Sequence, residues 1–325
     1  MKECVVDFLD DCSARGLSSQ TIATYRSNIT YFLNFTSKDP KEIDMNDLRA
    51  FLGHLRVMEY KVGRQIRKGV AASTMNAYFS AMSSFYDFLS WEKEVQENIV
   101  PRFRKRYLHM KEQRNGENRR QLISISRMMQ LLELCLKEGD VLAWALIFFA
   151  AKTGLRKGEI LAMDLHSLDF ERSLFIVPSK AKRTNRLGFM DAELTHVMQQ
   201  YLEWRESRVR ADTNALWISR QGYRMGKNDP YEIITYYAQL LGIHDPEGPL
   251  SKKFTPHCCR HFFTTHLRRA GMSREMRMEL RGDVLKDAMD GYDHIDPEEL
   301  RKAYITHVFK LLRIDTKQST LVPFQ

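Results

Sequence analysis

Apolar residues recur every three to four positions through most of the chain, a spacing that predicts helices. In FLDDCSARGLSSQTIATYRSNITYFLNFT a first helix stops at Gly16 and a cap falls at Ser18 or Ser19. Ile22, Tyr25, Ile29, Phe32 and Leu33 then keep to one face. IDMNDLRAFLGHLRVMEY repeats the pattern with Leu48, Phe51, Leu52 and Leu55 behind Asp44 or Asn46 as caps. KGVAASTMNAYFSAMSSFYDFLSWEKEV opens at Ser73 or Thr74 and carries Met75, Tyr78, Met82, Phe85, Phe88 and Leu89. Lys61, Arg64, Arg67 and Lys68 fall on a connection. Residues 1–100 therefore predict a compact domain of four or five helices.

The periodicity breaks at residues 101–121. VPRFRKRYLHMKEQRNGENRRQ, residues 100–121, holds eight Lys or Arg against two Glu, with Pro101 near its start. It reads as a basic linker. Arg102, Arg104, Lys105, Lys182 and Arg183 (the last two further along) with Arg106 are cations suited to phosphate contacts.

Residues 122–325 form a second domain in which the helical spacing returns, apart from loops at 221–230 and 242–256 and from LFIVPSKAKRTNRLGFM, where Leu174–Val177 and Leu187–Met190 predict a hairpin around a cationic tip. The chain is thus mainly α with a small β-hairpin, in two domains. A length of 325 residues agrees, being long for a single core.

Composition narrows the partners. A formal net charge of +9 suits a polyanion, and 43% hydrophobic content suits globular folding. Cys4, Cys12, Cys135, Cys258 and Cys259 form no CxxC pair, which points to a reducing, cytoplasmic setting without a structural metal. VLAWALIFFAA, residues 141–151, is too short to span a bilayer and predicts a buried helix; no membrane partner is expected.

Four stretches carry candidate chemistry. KTGLRKGEI presents Arg156 just after a helix-ending Gly154, with Glu159 placed to hold its guanidinium from behind. The hairpin tip offers Lys180, Lys182, Arg183 and Arg186, a set that a solvated charge run would also explain. TPHCCRHFFTTHLRRAG predicts a helix capped by Thr255 with Pro256 at its first position. His257, Arg260 and His261 crowd its first two turns, where cations oppose the helix dipole unless an anion sits among them. AMDGYDHIDPEEL places Tyr292 after a glycine, among acids, with no apolar periodicity to explain the ring.

In this order, GLRKGE, PSKAKRTNR, HCCR and GYDHI resemble the signature of the tyrosine recombinase (phage integrase) family. The resemblance covers the whole chain. It implies a SAM-like core-binding domain, a basic linker and a catalytic domain with a C-terminal helix, forming a C-shaped clamp on double-stranded DNA. It implies strand cutting and rejoining through a 3′-phosphotyrosyl intermediate, with no metal, ATP or other cofactor. Arg156 and Arg260 would clamp the scissile phosphate, Tyr292 would attack it, and His257 would serve as general base or hydrogen-bonding partner. Lys180, with Lys182 as the alternative, would protonate the leaving 5′-oxygen. The assembly expected is a dimer on one site and a tetramer on DNA.

Two features qualify the resemblance. Asp283 stands in an LRGD context where most members carry histidine or tryptophan, a context closer to archaeal branches. A carboxylate there is expected to turn towards an arginine such as Arg281 and buttress it rather than touch phosphate. After the tyrosine, DPEELRKAYITHVFKLL predicts a helix from Asp296 whose apolar face could dock on its own domain or, the favoured reading, insert into a neighbouring subunit. A type IB topoisomerase, an inactive relative and a non-catalytic DNA-binding protein are the alternatives.

Overall fold

The computed structural model describes residues 3–62, 65–108, 119–178, 186–210, 213–283 and 295–312. Arg64, Lys180, Lys182, Arg183 and Tyr292 lie outside the described residues. The chain divides into two compact units, Met1–Arg114 and Asn115–Gln325.

The first unit contains α1 (Glu3–Ala14), α2 (Ser19–Thr36), α3 (Met45–Val57), the antiparallel strands β1 (Glu59–Val62) and β2 (Gln65–Lys68), α4 (Ala72–Trp91) and α5 (Val100–Tyr107). Caps set the helix starts: Ser18 accepts from the Thr21 N–H, and Asp44 accepts from the Asn46 and Asp47 N–H groups in a capping box. The α4 start differs from the one predicted, since Ala71 precedes it with no side-chain cap. Phe8, Phe32, Phe51, Phe79, Phe85 and Phe103 are fully buried and form the aromatic centre of this unit.

Two expectations are corrected here. The connection holding Lys61, Arg67 and Lys68 is a β-hairpin, paired from Glu59 with Lys68 to Val62 with Gln65. The start of the basic stretch is helix rather than linker. Val100 and Phe103 of α5 are buried, and the Phe103 ring stacks on Phe79 at 5.2 Å. Two apolar anchors three residues apart seat one face of a short helix, which frees its cations to face outward.

The second unit runs α6 (Ile125–Lys137), α7 (Val141–Thr153), α8 (Lys157–Leu161), β3 (Leu168–Asp169), β4 (Leu174–Val177), β5 (Arg186–Phe189), α9 (Ala192–Glu206), α10 (Asp229–Leu240), α11 (Pro256–Arg269), α12 (Arg274–Arg281) and α13 (Pro297–His307). Helix α7 is its spine: every residue from Leu142 to Thr153 is buried, with α6, α9 and α11 packed around it. The expected hairpin is the β4–β5 pair, with Val177 opposite Arg186, and β3 adds a third antiparallel strand. No described helix is long and apolar enough to cross a membrane.

The end of α7 buries a charge. Lys152, fully inaccessible, donates to Asp191 Oδ2 and Glu193 Oε2 at 2.7 Å each and to the Phe309 carbonyl at 2.6 Å. Glu193 in turn accepts from the N–H groups of Leu311 and Leu312. A buried ammonium is tolerable only when its donors are all met, as here. The same network fastens the segment after α13 to its own unit. Leu300, Tyr304, Phe309 and Leu311 are buried there, so the apolar face expected to enter a neighbour is covered by the chain itself.

Candidate active site

The site grows from three chain reversals. Gly154 ends α7 in the left-handed conformation (φ +61°), and a Cβ there would sit 2.4 Å from the Phe263 ring of α11. That close approach lets the Gly154 carbonyl accept from Arg260 Nη1 at 2.7 Å. Arg260 Nη2 donates to the Arg281 carbonyl at 3.0 Å, so the α12 terminus fixes the other side of the guanidinium. The side chain of Arg260 is 3% exposed. Burial, then the nearby guanidiniums of Arg156 and Arg281, push its pKa down to about 10, which still leaves it cationic near neutrality.

Arg156 leaves the α7–α8 turn on the open side of the same place. Glu159 accepts from its backbone N–H at 2.7 Å and from Nη1 at 3.1 Å, as its position in the sequence suggests. Glu159 also receives a two-pronged bond from Arg186, Nη1 to Oε1 and Nη2 to Oε2, both 3.0 Å. Arg186 is therefore no solvated member of a charge run, because its side chain is 15% exposed. Burial raises the Glu159 carboxyl, but the bonds from Arg186 and from the Arg156 backbone outweigh it, leaving a lowered pKa.

Asp283 closes the arrangement. Gly282 ends α12 at φ +60°, with its Cα hydrogens facing the Arg186 guanidinium, and the next residue turns inward. Asp283 Oδ1 accepts from Arg156 Nη2 at 2.9 Å and from Arg260 Nη2 at 2.8 Å. Its Oδ2 is paired with Arg281 Nε at 3.1 Å. The carboxylate thus turns onto arginines, and onto three of them rather than Arg281 alone.

His257 projects from the first turn of α11, one turn before Arg260, and is exposed. Desolvation of its inner edge, followed by the cations Arg120, Arg260 and Arg281, lowers its pKa from 6.5. His261 is lowered by burial and then by Arg281 and Arg120. Thr255 stands at the N-cap position without a side-chain cap bond; its hydroxyl lies 3.7 Å from Cys258 Sγ instead. No group of three or more potential metal ligands occurs among the described residues.

The structure brings together Arg156, Glu159, Arg260 and Asp283, with His257 beside them. Lys180, Lys182 and Tyr292 lie outside the described residues. Sequence reading passed over two contributors. Arg186 looked like tip charge, and its pairing with Glu159 spans residues 27 apart. The Gly154 carbonyl is a backbone group that no side-chain pattern reveals.

Comparison with known proteins identifies the family and the fold. The profile described as phage integrase family matches residues 122–299. The phage integrase, N-terminal SAM-like domain matches residues 5–93. "Tyrosine recombinase XerC" of Pelotomaculum thermopropionicum is 26% identical over 307 residues, covering 89% of this chain and 92% of its own length. Its namesake in Thermodesulfovibrio yellowstonii is 23% identical over 301 residues, covering 89% and 90%. Among solved structures, the Tn1549 transposon integrase in complex with circular intermediate DNA matches with TM-score 0.65 at 17% identity. That match covers 92% of this chain and 98% of the other, and establishes a shared fold.

Proposed function

The chain belongs to the phage integrase family, and from that premise we propose that it is a site-specific recombinase that cuts and rejoins double-stranded DNA. The observation that carries this reading is the convergence of Arg156 and Arg260 on one carboxylate oxygen, Asp283 Oδ1, with His257 one turn before Arg260 on the same helix.

In the reaction, Arg156 and Arg260 hold the non-bridging oxygens of the scissile phosphate. Charge builds there as phosphorus becomes five-coordinate, and fixed guanidinium donors stabilise it without reorganising. Arg260 is fixed by the Gly154 and Arg281 carbonyls, and Arg156 by Glu159. The Tyr292 oxygen attacks phosphorus and its proton passes to His257. The bond from phosphorus to the 5′-oxygen breaks, and Lys180 or Lys182 supplies the proton that makes the 5′-hydroxyl. The phosphotyrosyl ester keeps the bond energy, so a 5′-hydroxyl from another strand reverses the step without ATP. The lowered pKa of His257 suits a base, because the ring is neutral near pH 7.

The cations of α5 would add sequence-independent grip. Arg102, Lys105 and Arg106 are exposed beside Tyr107, whose hydroxyl accepts from Arg49. Relatives named as recombinases favour joining of two sites over topoisomerase-like relaxation. A dimer on each site and a tetramer across two are part of the proposal.

The test is capture of the covalent intermediate. Incubation with nicked duplexes of randomised sequence, followed by recovery of denaturant-resistant adducts, yields the preferred site and the linked residue together. Mass spectrometry should find the nucleotide on Tyr292. A nucleotide on another residue would reject the assignment.

A further inference from the structure

We infer that Arg281 is a third phosphate-binding arginine of the cleavage site, sharing with Arg156 and Arg260 the oxyanion seat that Asp283 fills in the DNA-free protein. The inference rests on the recombinase reading and adds a residue to its chemistry.

Three guanidiniums converge on one carboxylate. Oδ1 of Asp283 is shared by Arg156 Nη2 at 2.9 Å and Arg260 Nη2 at 2.8 Å, while Oδ2 lies 3.1 Å from Arg281 Nε. A carboxylate and the two non-bridging oxygens of a phosphodiester have nearly the same bite and the same single charge, so guanidinium forks accept either. The groups that hold the internal anion therefore mark where the substrate anion binds. Two of the three are the arginines that the family signature assigns to phosphate. The third lies 3.1 Å from the other oxygen through Nε without a hydrogen bond to it, a buried guanidinium N–H that finds no partner among the described residues and faces the same anion.

The surroundings support a ligand role for Arg281 over simple neutralisation of Asp283. Asp283 already has two charge-assisted bonds without it. The Arg281 carbonyl helps fix Arg260, which holds the residue at the site through its backbone as well. Its side chain is 28% exposed against 3% for Arg260, so part of it lies within reach of an incoming strand although Nε is buried beside Asp283. Burial lowers the pKa of His257 and of His261, and the Arg281 charge adds to the lowering of both. Among the described residues, the guanidiniums of Arg156, Arg186, Arg260 and Arg281 pair with the carboxylates of Glu159 and Asp283. When a phosphate displaces Asp283, that excess positive charge is what receives it.

The experiment compares wild type with Arg281→Gln and Arg281→Lys in single-turnover cleavage of two nicked duplexes of the selected sequence. One carries the normal scissile phosphodiester and the other a methylphosphonate there, which is neutral and lacks one non-bridging oxygen. On the phosphodiester, Arg281→Gln should slow adduct formation about 100-fold, the usual loss for one oxyanion donor. On the methylphosphonate its rate should return to within about threefold of wild type, because the charge it meets is gone. Equal losses on both duplexes would show a structural role and overturn the inference, as would no loss on either. DNA binding by gel shift checks folding. If Arg281→Gln fails it, Arg281→Lys, which keeps the charge and loses the fork, should still be slower on the phosphodiester than on the methylphosphonate relative to wild type, equal losses again overturning the inference. No adduct from wild type on the phosphodiester would instead reject the recombinase reading.

Discussion

Asp283 Oδ1 lies 2.8 Å from Arg260 Nη2 and accepts its hydrogen bond, so a carboxylate occupies the place proposed for DNA phosphate. An internal anion competes with an external one. Asp283→Asn keeps the shape and removes the charge, so inorganic phosphate should bind the DNA-free protein about tenfold more tightly or better. Titration calorimetry measures this directly. Unchanged or weaker binding would mean that the carboxylate holds the arginines in place for phosphate rather than standing in for it.

Lys152 makes the second prediction. It is fully buried between Asp191 and Glu193, and its removal strands two carboxylates that are each 4% exposed. Lys152→Met should cost about 3–5 kcal/mol of unfolding free energy, and the triple change with Asp191→Asn and Glu193→Gln should cost less than Lys152→Met alone. Denaturant titration of the three proteins tests the order. Truncation before Leu300 should likewise destabilise the second unit, since Tyr304 and Phe309 leave its core.

His257 sets the acid side of the pH profile. A base works when neutral, so cleavage should be present above its pKa and lost as pH falls through it. Burial and neighbouring cations lower that pKa from 6.5 in the free protein. The acid limb of kcat/KM should therefore have its midpoint below 6.5, and His257→Gln should flatten it. A midpoint above 6.5 that survives in His257→Gln would assign the limb to another group.

Much of this was legible in the chain. Helical spacing located the core of both units, and two short motifs, GLRKGE and HCCR, pointed to Arg156, Glu159, His257 and Arg260, because residue type and order are written locally even where the holding groups are distant. What escaped depends on distance. Arg186 reaches Glu159 across 27 residues, and Asp283 reaches Arg156 across 127, so charge in a local window could not separate a paired side chain from a solvated one. The basic stretch hid α5 because only Val100 and Phe103 anchor it, too few to register as a period. The C-terminal helix showed its apolar face but not its acceptor, since Lys152 looks like an ordinary residue at the end of a helix. An amphipathic pattern states that a face is buried and leaves open against what.

The central claim is tested most directly at Tyr292. Wild-type protein and Tyr292→Phe are incubated with the same selected nicked duplex, denatured, and resolved for DNA-linked protein. Wild type should accumulate a protease-sensitive covalent adduct at the 3′-phosphate, and Tyr292→Phe should bind the duplex equally well and form none. An adduct of undiminished yield in Tyr292→Phe would contradict the account.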